Sequence, residues 1–323
     1  MRAVGFCAVL AGLVAVPLLA AATGPGAVAE AWSVPDIATL PDDAWGRTVR
    51  HGRDLVVHTA DLIGPKVAVK SRRQARNNLG NNLDCQSCHI DGGTRQFGLP
   101  LVGAFAGYPG YRAREGAVGT IEDRVNGCMT RSMNGRPLPV AGPEMIAIVA
   151  YIRFLSTGRP IGSPTTGQGA GRMPELARAA DPVRGRAVYA AQCAICHGGH
   201  GEGRAATDRR AGYAMPPLWG RDSFNDGAGM ARLTNAANFI RNNMPDGTTW
   251  QTPYLNEADA WDVAAYVEAQ PRPHMLHLAR DFPDRREKPV DTAYGPYADH
   301  FAAAQHKYGP FAPIRAATGV VRP

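Results

Sequence analysis

Twice in this chain a cysteine is followed, two residues later, by Cys-His: Cys85-Gln86-Ser87-Cys88-His89 and Cys193-Ala194-Ile195-Cys196-His197. No other feature restricts the fold as much. Cys-x-x-Cys-His is the attachment signature of c-type haem. Two thiols at that spacing bond to two vinyl groups, and the adjacent imidazole sits beneath the ring as the proximal ligand of iron. A four-cysteine zinc site or a thioredoxin-like dithiol would use the thiols but needs no histidine after each pair. The two motifs predict two covalently bound haem c groups. Cys85, Cys88, Cys193 and Cys196 are the attachment points, and His89 and His197 the axial ligands.

The surroundings of the motifs repeat. Pro100-Leu101-Val102-Gly103 follows the first and Pro217-Leu218-Trp219-Gly220 the second. The expected role of each proline is to offer its carbonyl to the Nδ1–H of the proximal histidine, which fixes the tautomer. A helical stretch precedes each motif, 44–62 and 182–191, and Gly185 with Tyr189 suits a close helix crossing. A helix closes each half. Residues 143–155 carry Ile146, Val149, Ala150 and Ile152 at helical spacing, and 257–269 carry Trp261, Ala264, Ala265 and Val267. Strand patterns are scarce. The expected fold is mainly α, with two tandem cytochrome c domains at 30–158 and 181–270. A Gly/Pro-rich linker at 159–180 joins them, and an extended C-terminal tail follows at 271–323.

Ahead of these domains Arg2, the apolar run Ala3 to Ala22 and Ala27-Val28-Ala29 read as a signal peptide, residues 1–29, for export to the periplasm. The alternative is a retained anchor; after cleavage no stable membrane insertion is expected. The formal charge is +7, and cleavage removes only Arg2 from that count. No run of five Lys or Arg occurs, so nucleic acid is not an expected partner. An anionic small molecule remains compatible with the charge.

The sixth ligand of each haem has several candidates. In the second half these are Met215, Met230, Met244 and His200, and Met244 stands in a loop just before the closing helix, where cytochromes c place their methionine. In the first half Met133 occupies the equivalent place, yet Cys128 lies five residues upstream. It is the unpaired cysteine of the exported part, and a thiol in an oxidising compartment needs burial, ligation or use. A thiolate ligand would lower the haem potential where methionine raises it. Arg112, Arg114, Arg124, Arg131 and Arg136 surround Cys128 in sequence. That is more guanidinium than two haem propionates need, and it suits a compact oxyanion.

The segment Ile121-Glu122-Asp123-Arg124-Val125-Asn126-Gly127-Cys128, with Ser132-Met133-Asn134-Gly135 after it, resembles the dihaem thiosulfate dehydrogenase (tetrathionate reductase) family. So do Pro216-Pro217-Leu218-Trp219-Gly220, Gly227-Ala228-Gly229-Met230, Lys288-Pro289-Val290-Asp291 and the tail from Gln305 to Phe311. The resemblance implies that two thiosulfates are joined to tetrathionate with release of two electrons, or the reverse. It implies His89 and Cys128 on the first haem and His197 and Met244 on the second. Arg124, Arg114 and Ser132 would then hold the sulfur oxyanion. Members with a lysine directly before the second-haem methionine exchange ligands on reduction; Asn243 stands there in this chain, so His/Met ligation in both redox states is expected. Electrons would leave through the second haem to a small c-type cytochrome. Rival readings are a dihaem electron carrier, with Met133 as ligand and Cys128 as a packing residue, and a dihaem peroxidase.

Overall fold

The computed structural model describes residues 1, 32–67 and 78–319, so the expected signal peptide lies, but for Met1, outside the described residues. Among these residues no helix is long and apolar enough to cross a membrane. The first half begins with α1 (Ala44–Val57), started by Asp43, whose side chain accepts from Gly46 N. The expected single stretch 44–62 is broken at His58 and resumes as α2 (Thr59–Ile63). The first Cys-x-x-Cys-His motif and the short turn α3 (Ile90–Gly93) follow. A two-stranded hairpin, β1 (Gly110–Arg112) and β2 (Ala117–Gly119), leads into α4 (Ile121–Arg131), whose N-terminus is a Thr120–Asp123 capping box. Then comes α5 (Pro143–Phe154), with proline at its first position.

The second half repeats the plan. Its helix α6 (Pro182–Gln192) is capped by Asp181, and α7 (Ala194–His197) carries the second motif. A small antiparallel pair follows, β3 (Arg204–Ala205) with β4 (Tyr213–Met215). Then come α8 (Leu233–Asn243) and α9 (Glu257–Ala269), the latter started by Asn256. The tail adds α10 (Ala303–Tyr308) and α11 (Ala312–Thr318).

In each half the first and last helices cross at a glycine. A Cβ on Gly52 of α1 would stand 1.9 Å from the Ala147 carbonyl oxygen of α5, and one on Gly185 of α6 would stand 1.8 Å from that of Asp262 in α9. Only hydrogen fits at either place. Gly185 behaves as the sequence leads one to expect; Gly52 is its unanticipated counterpart. The closing helices differ from each other. Trp261, Ala264, Ala265 and Val267 are all buried as expected, but in α5 Ile146 is exposed and Val149 only half-buried, while Met145, Ala147, Ile148 and Tyr151 are buried. An almost uniformly apolar helix carries little information about which side faces inward.

Residues 159–180 are tied down on both sides. Gly167 O and Gly169 O accept from Phe97 N and Leu99 N of the first half, while Met173 N donates to Asn238 and Trp261 Nε1 to Pro174 O in the second. The tail does more than wrap the surface, because Val290, Phe311 and Ile314 enter the second core. Its Asp281 reaches the first half, where it accepts from Arg131 Nη1 and Nη2 at 2.8 Å, and within the tail it accepts from Tyr294 OH at 2.6 Å. The halves also meet directly, through Asn82 with Asp222 and Arg209 with Asp61 and Asp84.

Candidate haem and sulfur site

The two proximal histidines are held alike. His197 Nδ1 donates to Pro216 O at 2.8 Å, and His89 Nδ1 makes a short hydrogen bond to Leu99 O. In both halves the acceptor is therefore the residue before the expected proline, so Pro100 and Pro217 act by shaping the turn and not by lending their own carbonyls. With Nδ1 donating, the lone pair of each ring lies on Nε2, the nitrogen free to bind a metal.

A cavity of about 380 Å³ adjoins His197. Cys193, Cys196, Met215, Met230 and Met244 line it together with apolar side chains such as Leu218, Phe239 and Val263. Gln86, Ser87 and Cys88 of the first motif form part of the same wall, so the two motifs are neighbours across it. All three methionine candidates thus face one space, and His200 stays on an exposed loop away from it. Asn243 is buried, its Nδ2 donating to Phe97 O and Phe239 O at 3.0 Å. Burial pushes the Cys193 thiol up to about 11 and holds the His197 imidazole below its ordinary value, although the Pro216 carbonyl works the other way. Two half-buried thiols beside an imidazole of fixed tautomer, opening on an apolar slot, fit a covalently attached haem.

The first half builds a different environment on α4. Arg124, Cys128 and Ser132 follow one another at four-residue spacing and form one stripe of the helix. Arg124 Nη1 donates to Cys128 Sγ at 2.9 Å. Burial raises the Cys128 thiol, but the Arg124 guanidinium and a hydrogen bond and charge from His89 outweigh it and bring the group down to about 6. Cys85 and Cys88 lack such a partner and are pushed up to about 12 by burial, with the Cys128 charge adding to the rise. Cys128 thus carries a thiol more acidic than an ordinary cysteine, close to His89. Met133 packs in the first-half core with Leu55, Ile63 and Met145. Ser132 ends α4, its backbone N–H donating to Cys128 O and its carbonyl accepting from Asn81.

The arginines expected around Cys128 disperse. Arg114 Nη1 donates to Gly227 O at 2.7 Å and faces Asp281 at 3.3 Å, a carboxylate it shares with Arg131. Arg112 pairs with Glu115. Arg124 is the one whose guanidinium is bonded to the sulfur. Asp281 lies more than a hundred residues away in a tail without periodicity, where no local spacing points to it.

The fold and these sites define a mainly helical, haem-binding protein of the cytochrome c type. The family described as SoxA/TsdA, cytochrome c domain, matches residues 75–161, and that described as cytochrome C oxidase, cbb3-type, subunit III, matches 180–267. The thiosulfate dehydrogenase of Thiomonas intermedia is 39% identical over 277 residues, covering 86% of this chain and 82% of that one. The thiosulfate dehydrogenase of Allochromatium vinosum is 40% identical over 81% of this chain and 92% of its own. The solved thiosulfate dehydrogenase (TsdBA) of Marichromatium purpuratum, in its as-isolated form, superposes with a TM-score of 0.69 at 34% identity, over 87% of this chain and 54% of that one. The chain belongs to the thiosulfate dehydrogenase family.

Proposed function

We propose that the chain is an exported, periplasmic enzyme that interconverts thiosulfate and tetrathionate, built from cytochrome c domains at 30–158 and 181–270 and passing electrons to a small c-type cytochrome. Each domain would hold one haem c, through Cys85, Cys88 and His89 in the first and Cys193, Cys196 and His197 in the second. Cys128 in the first half and Met244 in the second would supply the other protein ligand to each iron. The observation that carries this reading is the pair on α4, Arg124 Nη1 donating to Cys128 Sγ at 2.9 Å, with the acidified thiol close to His89. Haem, when bound, supplies one-electron acceptance and donation.

The chain's own residues do the rest. Arg124 holds the Cys128 sulfur as thiolate and presents a fork suited to a sulfonate. Arg114 and Ser132 would complete the wall of the substrate site, Arg114 kept in place by Asp281. Joining two thiosulfate dianions forms one S–S bond and releases two electrons and no proton. The site must therefore neutralise repulsion between anions, and fixed guanidinium charge serves that need. In the second half Met244 and the apolar cavity beside His197 would favour the reduced state of a haem held there by Cys193 and Cys196, which suits that half to handing electrons to the external partner. The test is a steady-state assay of the holoprotein in both directions, with thiosulfate and ferricyanide and with tetrathionate and a reduced donor. Turnover is expected in at least one direction. Two haems without turnover in either would replace the enzyme by an electron carrier.

A further inference from the structure

Arg112 is half-buried beside the α4 stripe with part of its hydrogen-bonding capacity unspent. Its side chain is 13% exposed, and Glu115 accepts from Nε at 2.9 Å and from Nη2 at 2.8 Å. Nη1 is fully buried and has no hydrogen-bond partner among the described residues. Two glycines make the slot in which this side chain lies. A Cβ on Gly119 of β2 would stand 2.6 Å from Arg112 Cδ, and one on Gly127, the residue before Cys128, would stand 3.4 Å from Arg112 Nη2. The guanidinium therefore crosses from the hairpin to the turn of α4 that carries the thiolate. Glu115 occupies the Nε and Nη2 edge of the fork, which leaves Nη1 as its unmatched arm. A charged N–H that is buried and unmatched is unfavourable unless an acceptor arrives, and an anionic oxygen is the acceptor it binds most strongly.

We propose that Arg112 is a second oxyanion-binding residue of the Cys128 site, its Nη1 donating to a sulfonate oxygen of the sulfur substrate. The proposal rests on the thiosulfate reading above and sharpens it. Arg124 guards the sulfur, Arg112 grips the oxygen end, and the outer sulfur of thiosulfate is left to face Cys128. A haem propionate has the same chemistry, a carboxylate oxygen, so the test must separate the two sources.

The test compares wild-type holoprotein with Arg112→Gln and with Glu115→Gln. Three quantities are read: KM and kcat for thiosulfate, the tetrathionate affinity of the oxidised protein by calorimetry, and the midpoint potential of the first haem. Arg112→Gln is expected to raise KM and weaken tetrathionate binding by about ten- to a hundredfold, the range of one charge-assisted hydrogen bond. Its kcat should change less than about threefold, since uniform binding is what is lost. Glu115→Gln should change KM far less, and free guanidinium ion should restore affinity to Arg112→Ala. Should Arg112→Gln fail to fold, Gly119→Ala, which crowds the slot without touching the charge, is expected to reproduce the affinity loss. Unchanged KM and affinity would overturn the proposal. So would a shifted first-haem potential at unchanged affinity, which would give Nη1 to a propionate, or a Glu115→Gln loss as large as that of Arg112→Gln. Wild-type protein without turnover or tetrathionate binding would instead sink the parent reading and the proposal with it.

Discussion

The two halves of this molecule share a scaffold and differ in what faces the imidazole. Each crosses its first and last helices at a glycine, each follows its motif with a turn, and each ties the proximal Nδ1 to a carbonyl of that turn. Opposite His197 lie an apolar cavity and three methionines. Opposite His89 lies a helix stripe with a lowered thiol and a guanidinium. The difference teaches that scaffold and chemistry are separable here. The repeated parts hold a histidine at fixed tautomer, and the side chains on α4 give one copy an ionic environment where the other has an apolar one.

The comparison breaks most visibly at Cys128. Cys128→Gly is expected to keep both haems, visible as two haem masses on the denatured chain, while thiosulfate turnover falls more than tenfold, a barrier increase above about 1.4 kcal/mol. Met244→Gly should act on the other half alone, lowering the potential of the second haem and removing any thioether-to-iron charge-transfer band. Retention of more than about a tenth of kcat by Cys128→Gly would mean that the first half is no more reactive than the second.

The scaffold itself is tested at the crossings. Gly52→Ala and Gly185→Ala each force a methyl group onto a backbone carbonyl, and each should cost about 1–3 kcal/mol in denaturant unfolding. Equal costs would establish the equivalence of the two crossings, whereas a near-neutral Gly52→Ala would end it.

A smaller effect belongs to the tail, which has no counterpart between the halves. Lys288 is buried, its Nζ donating to Tyr294 O at 3.0 Å and Pro296 O at 2.8 Å, with the Tyr294 and Tyr297 rings 5.0 and 5.3 Å away. Burial lowers its pKa to about 8. Below that value the ammonium is charged in both folded and unfolded chains and the burial cost is complete; above it the folded form sheds the proton first. Wild-type stability should accordingly gain on that of Lys288→Met as pH rises from about 8 towards the ordinary lysine range near 10.4. Thermal midpoints of the two proteins that run parallel across that window would remove Lys288 from the account.

Haem binding was legible in residues 85–89 and 193–197, because thiols and imidazole at that spacing serve few other functions. Helix positions were legible for a similar local reason, since Asp43, Asp181, Asn256 and the prolines at 143 and 182 mark starts within one turn of the residues they govern. The α4 stripe was open to reading as well, Arg124, Cys128 and Ser132 lying four apart. What only the tertiary structure decided is how long-range partners divide a set of like residues. Five arginines near Cys128 look equivalent in sequence, yet Asp281 takes Arg114 and Arg131, Glu115 takes one edge of Arg112, and Arg124 reaches the sulfur. The same holds for the carbonyls of Leu99 and Pro216 and for the buried side of α5. A charge, a lone pair or an apolar face finds its partner by distance in space, and that distance is set by helix crossings and a folded-back tail, to which no local spacing is sensitive.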